Sequence, residues 1–307
     1  MADVLEQASV LAIVEGLGPG ERWHRAATFI EEARSAARLI ARDWTGMPDD
    51  SQHPTAEKLV GQITPADVEH YAALIGQLQS EEIYLTTVLD EDYPSNLREI
   101  YNRPPFLFYR GQLGAELTRS VAVVGSRDAS PEGLGRARSL ATELASRGVT
   151  VLSGLARGID TAAHSATLDA GGRTVAVMGT GIRRIYPAEN AGLAQRILDG
   201  GGSLVSQFWP DSPPSKTSFP VRNVVMSGMA IGTLVVEATS TSGAKMQARL
   251  ALQHGKRLLL VEELVALEEW AQRYARRPGA TVVRTADDVV ELLDEEVTAG
   301  SEQLTFL

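Results

Sequence analysis

The chain has 307 residues, 44% of them hydrophobic, which is enough to bury a full core and to build two domains or one large domain with extensions. It has no cysteine, which excludes disulfides and thiolate metal sites and fits a reducing compartment. The net charge of −10 by itself argues against nucleic acid, but residues 119–261 hold 16 Lys+Arg against 9 Asp+Glu while the remainder holds 13 against 30, so a basic middle lies between acidic flanks.

Residues 5–42 carry a helical pattern. Leu5, Val10, Ile13 and Val14 precede a Gly16-Leu-Gly-Pro-Gly20 break, and Trp23, Ala26, Ala27, Ile30, Ala33, Ala37 and Ile40 then recur at three and four. The glycine-rich break has a faint helix-hairpin-helix character, although an ordinary inter-helix loop explains it as well. Residues 45–55 have loop chemistry. Thr64-Pro65-Ala-Asp67 opens another helix, with Thr64 as N-cap and Pro65 in the first turn. An all-helical domain is therefore expected over 1–82. Residues 83–118 are expected to be a connector packed on the core, with strands at Tyr84–Leu89 and Phe106–Tyr109 and a short helix near Asp92–Leu97.

From Val121 on, apolar runs at 121–124, 149–152, 174–178, 203–206, 233–236 and 257–261 alternate with helical stretches. Near-continuous apolar strands separated by helices are what a mostly parallel sheet covered on both faces requires. The fold class is α/β, with a core over 119–263. A C-terminal extension over 264–307 adds a helix, a strand at 281–284, a helix opened by Thr285 and a frayed tail, with no winged helix. No apolar run approaches the ~20 residues that span a bilayer. The N-terminus lacks the basic flank of a signal peptide, so the cytoplasm is the expected location.

Cations recur where strands turn into helices. Arg127 and Arg157 follow the first two strands, Arg183 and Arg184 the third, Arg222 opens the helix before the fifth, and Lys245 follows the fifth. Parallel strands bring such turns to one edge, where open α/β sheets bind ligands. A cation at a helix N-terminus is unfavourable unless an anion is expected there. There is no Walker motif, no dinucleotide fingerprint and no histidine or carboxylate spacing for a metal, and no cofactor is expected. Ser153, Asp160 and His164 could be imagined as a triad, but Asp160 and His164 at i, i+4 more simply cap and face one helix.

Several motifs then stand in order: Val123-Val-Gly-Ser-Arg127, Ser153-Gly-Leu-Ala-Arg-Gly-Ile-Asp-Thr-Ala-Ala-His164, Tyr186-Pro-Ala-Glu-Asn190, Phe219-Pro-Val-Arg-Asn223 and Leu234-Val-Val-Glu-Ala238 with Ser242-Gly243. They resemble the DprA (Smf) family of DNA-processing proteins over about 90–290. That resemblance implies an extended Rossmann-like fold, no classical enzyme activity, single-stranded DNA binding, a homodimer, and loading of a RecA-type recombinase in natural transformation. It assigns DNA phosphate contacts to Gly125, Ser126, Arg127, Arg157, Gly158, Arg222, Asn223, Ser242, Gly243 and Lys245. The chain departs from the family pattern at Val224, at Ser242-Gly-Ala-Lys-Met-Gln-Ala248 and at Val261-Glu-Glu263. An alternative stays open. Arg222 followed by Gly232-Thr-Leu-Val-Val-Glu237 resembles the LOG-type phosphoribohydrolases, though without their Pro-Gly-Gly turn, and a nucleotide-signal sensor on the same fold is a third reading.

Overall fold

A computed structural model describes residues 3–17, 23–44 and 53–305. In chain order the elements are α1 (Val4–Leu17), α2 (Trp23–Ala33), α3 (Ala36–Ile40), α4 (His53–Val60), α5 (Pro65–Ser80), β1 (Tyr84–Thr87), α6 (Ser95–Arg98) and β2 (Phe106–Gly111). They continue with β3 (Ser120–Gly125), α7 (Pro131–Ser146), β4 (Thr150–Ser153), α8 (Ile159–Asp169), β5 (Thr174–Val177), α9 (Ala191–Asp199) and β6 (Ser203–Ser206). The last are α10 (Ser218–Met229), β7 (Gly232–Glu237), α11 (Gly243–Gln253), β8 (Arg257–Val261), α12 (Glu262–Leu267), α13 (Glu269–Ala275), β9 (Ala280–Val283) and α14 (Ala286–Thr305). The chain forms two compact units, one of residues 1–93 and 101–110, the other of residues 94–100 and 111–307. The stretch expected as a connector is thus shared between them.

In the first unit α1 is buried continuously from Gln7 to Val14, as befits a helix apolar on all sides. The Gln7 amide donates to the Leu85 carbonyl (2.9 Å) and to Asp90 Oδ2 (3.0 Å), tying α1 to β1, which pairs antiparallel with β2 so that Tyr84 opposes Tyr109. Thr64 and Asp67 cap α5 reciprocally, with Pro65 in the first turn. α4 begins at His53, inside the stretch expected to be loop, because His53-Pro54 reads as a breaker but Pro is tolerated in a first helical turn. Most of the glycine-rich break and residues 45–52 lie outside the described residues.

In the second unit the strand order is β6-β5-β4-β3-β7-β8-β9, with every neighbouring pair parallel. The chain moves outward from β3 through β4, β5 and β6, then returns to place β7 on the other side of β3. That reversal opens a crevice at the carboxyl ends of β3 and β7. Val121 and Val123 join a buried cluster with Leu144 of α7, Ile159 of α8 and Leu293 of α14. By the two-residue period Ala122 and Val124 face the opposite way, toward α10 and α11.

The acidic C-terminal extension lies on arginines of the basic middle. Arg119 pairs with Asp294 (2.7 Å), Arg147 with Asp287 (2.5 Å) and Arg257 with Glu296 (2.5 Å). The charge segregation seen along the sequence is therefore partly cancelled in space. The Trp270 indole, fully buried, donates to the Ala238 carbonyl (3.1 Å) and anchors α13 to the end of β7. The tail expected to fray continues α14 as far as Thr305.

Candidate functional site

A cleft of about 690 Å³ opens at the crevice. Its walls come from the turn after β3 (Gly125 to Asp128), Ala156 and Asp160 after β4, Tyr186 after β5, the start of α10 with Lys216 before it, and the turn from Thr239 into the first turn of α11. Of the residues singled out in the sequence, Gly125, Ser126, Arg127, Arg222, Asn223, Ser242 and Gly243 line it.

The turns are held by specific bonds. Ser126 N donates to the Glu237 carbonyl (2.7 Å), and Ile159 N donates to Ser126 O (3.2 Å). Gly158 has φ +71°, and a β-carbon there would run into the Ser126 and Arg127 carbonyls, so only glycine allows the two turns to lie against each other. Ser153 Oγ donates to the Val123 carbonyl (2.7 Å), and Asp160 Oδ2 accepts from Gly154 N (3.1 Å) and Ala156 N (3.3 Å). His164 Nδ1 bonds Thr174 Oγ1 (2.7 Å). Each member of the imagined triad is thus spent on the scaffold. Burial, reinforced by the Arg222 charge, pushes the His164 pKa down to about 3, so the imidazole is neutral.

Arg222 is not a cation of the rim. It is 5% exposed and lies flat on the Gly154 backbone, and its guanidinium donates to the Val177 carbonyl (2.6 Å). Burial lowers its pKa and raises that of Asp160, and the attraction between the two opposes both shifts. Arg222 therefore forms the floor of the cleft. The sequence reads it as a surface cation because nothing local records that Gly154 leaves room for it.

The expected convergence of five cationic turns is partly corrected. Arg157 and Gly158 line a neighbouring groove, where Arg157 pairs with Glu189 (2.6 Å). Arg183 pairs with Asp211 (2.7 Å). Lys245 is absent from the lining and donates to the Ser240 carbonyl (3.1 Å). Its half-buried side chain folds back onto the turn that precedes α11.

Three residues not singled out complete the cleft. Phe219 lies under Arg127, whose Cζ is 5.0 Å from the ring centroid, and Tyr186 lies beside Phe219 at 5.8 Å. Tyr186 is 46% exposed. Lys216 joins Arg127 in the lining. Neither cation has a carboxylate partner among the described residues, although Asp128 also lines the cleft. Phe219 and Tyr186 stand within quoted motifs; Lys216, in a Pro- and Ser-rich loop, gives no periodic signal.

Glu237 Oε1 accepts from Ser130 N (2.9 Å) and Oε2 from Ser130 Oγ (2.5 Å), while Ser130 caps α7. The carboxylate that the phosphoribohydrolase reading requires is committed to a helix cap.

The family model for DNA recombination-mediator protein A matches residues 84–294. The chain belongs to that family. It is 38% identical over 217 residues to Protein Smf of Escherichia coli, an alignment covering 70% of this chain and 58% of that protein. It is 31% identical over 274 residues to DNA processing protein DprA of Bacillus subtilis, covering 84% and 90%. The X-ray structure of DprA from Streptococcus pneumoniae matches with a TM-score of 0.68 and 28% identity, covering 94% of this chain and 98% of that one. A DNA processing protein A from Helicobacter pylori, described by its single-stranded DNA binding mode, shares the fold with a TM-score of 0.60 at 24% identity, covering 69% and 96%. The resemblance to this family and the mostly parallel α/β fold are thereby established. No described helix is long and apolar enough to cross a membrane.

Proposed function

We propose that the cleft binds single-stranded DNA. The observation that carries this reading is the pairing of uncompensated cations, Arg127 and Lys216, with an aromatic surface, Phe219 and Tyr186, in one crevice. Cations that track a phosphate backbone beside rings that accept stacked bases are the general solution for sequence-tolerant single-strand binding. A duplex hides its base faces and cannot use the rings.

In this reading the Gly125-Ser126-Arg127 turn and the first turn of α11, with Ser242 and Gly243, hold phosphates, and Lys216 holds the strand as it passes α10. Arg222 and Asn223 shape the floor, and Lys245 lends a charge from outside the lining. The core over 119–263 is the DNA-binding domain.

The relatives' names, DNA processing protein and recombination mediator, support a further step in which a cytoplasmic homodimer hands its strand to a RecA-type recombinase. The test of the binding step is equilibrium titration of oligothymidylate and of a duplex of equal length at low salt. Preference for the single strand is expected, reduced in Arg127→Ala and Phe219→Ala. Equal affinity for both forms, or none for either, overturns the proposal. Faster recombinase filament growth on strands carrying the protein tests the hand-over.

A further inference from the structure

The groove beside the cleft is built differently. It encloses about 330 Å³ and is lined by Arg138 of α7, Arg157 and Gly158 at the start of α8, Thr161 and Ser165 along α8, and Glu189. Ala156 lines the cleft and Arg157 the groove, so successive residues form the ridge between the two. Tyr186 and Glu189 repeat that division one strand further along. A chain leaving the cleft past this ridge enters the groove.

Arg157 lines the groove with one fork of its donors already in use. Its Nε bonds Glu189 Oε1 (2.6 Å) and its Nη2 bonds Glu189 Oε2 (2.8 Å). This two-pronged grip on two oxygens is the one a guanidinium makes on a phosphodiester. Arg157 in turn holds the Glu189 carboxyl below the usual carboxylate range. Both side chains are more than half exposed, so the pair is weak and easily exchanged. Arg138, exposed, has no carboxylate partner among the described residues. The ridge itself is rigid: Asn190 Nδ2 donates to the Leu155 carbonyl (2.8 Å) and to Thr161 Oγ1 (3.0 Å), and Thr161 donates to Ala156 O (2.7 Å).

We infer that this groove is a second backbone subsite for the same single strand, and that Glu189 is an internal counter-ion which holds Arg157 until a phosphate displaces it. The inference rests on the proposed binding of single-stranded DNA in the cleft. A phosphate between Arg157 and Arg138 replaces the Glu189 carboxylate, which turns into solvent. The exchange conserves the charge pairing of Arg157 and adds that of Arg138. Glu189 thereby lowers affinity for strands long enough to reach the groove and disfavours isolated anions.

The test is fluorescence-anisotropy titration of the full chain with an oligothymidylate of about 12 nucleotides, within the range of about 4–16 typical of single-strand sites, across a salt series. Glu189→Gln is expected to tighten binding by about 3–10-fold at low salt, since an opposed charge is removed while the amide oxygen still accepts from Arg157. Arg138→Ala is expected to weaken it and to lower the log–log salt slope by about 0.7, one phosphate's worth. Arg127→Ala, in the cleft, serves as the reference for loss of the primary contact. Unchanged affinity and slope in both Glu189→Gln and Arg138→Ala, with Arg127→Ala impaired, overturns the groove and leaves the cleft standing. A wild-type chain that ignores the strand overturns both.

Discussion

Replacing Gly154 with alanine inserts one methyl group where the Arg222 guanidinium lies. The new β-carbon would sit inside contact distance of Cζ and both terminal nitrogens of Arg222. The Gly154 backbone is outside the left-handed region, so this clash is the whole perturbation. Arg222 must leave its seat, losing the bond to the Val177 carbonyl and exposing buried Asp160 to the loss of its cation. A hydrogen bond from a charged group is worth about 1.5–3 kcal/mol. The expected loss is therefore about 1.5–3 kcal/mol, which at about 2–4 °C per kcal/mol for a unit of this size lowers the unfolding midpoint by roughly 3–12 °C. Differential scanning calorimetry reads this directly. Gly135→Ala in α7 is the control, because nothing lies within 4 Å of its β-carbon position, and it should be neutral or stabilising by up to about 1 kcal/mol. A Gly154→Ala midpoint equal to that of the control would refute the reasoning that Arg222 is a locked floor residue.

His164 makes stability depend on pH. An unfolded histidine takes a proton below about 6.5, whereas His164 in the fold resists until about 3. Between those values the unfolded state binds the extra proton, so stability falls as pH falls, by about 1.4 kcal/mol per unit at most. Urea unfolding at successive pH values should show this decline, and His164→Met should flatten it; an unaltered decline counts against a buried neutral imidazole. Tyr186→Ala, which removes the exposed ring of the cleft, should cost about 1–3 kcal/mol in single-strand affinity, one stacked base, with the salt slope unchanged; a changed slope with constant affinity at low salt would contradict stacking. Trp270→Phe removes the pyrrole half of the buried indole and with it the bond to Ala238 O, and should cost at least about 0.5–1.5 kcal/mol in urea unfolding.

The parallel sheet was legible because its strands are buried on both faces, so runs such as Val121–Val124 and Leu258–Val261 are apolar without interruption. The turn at Gly125-Ser126-Arg127 was legible for the same reason, since a strand that ends in glycine and a cation has few other uses. Arg222 was misjudged as a rim cation. Its burial depends on Gly154, sixty-eight positions earlier in the chain, and no local pattern encodes a contact of that range. Lys216 gives no signal in the sequence, because a loop has no period to betray which way a side chain faces. Arg157 lines the groove beside the cleft, a distinction set by the ridge between Ala156 and Arg157 that no sequence pattern marks.

The central claim is that Arg127 and Lys216 meet the phosphates of a single strand, and the salt dependence of binding measures it most directly. The logarithm of the affinity for oligothymidylate, plotted against the logarithm of salt concentration, should fall with a slope of about −0.7 per phosphate contacted. Arg127→Ala and Lys216→Ala should each make that slope shallower by about 0.7, independently of base sequence. A slope identical in wild type and both variants would contradict the account.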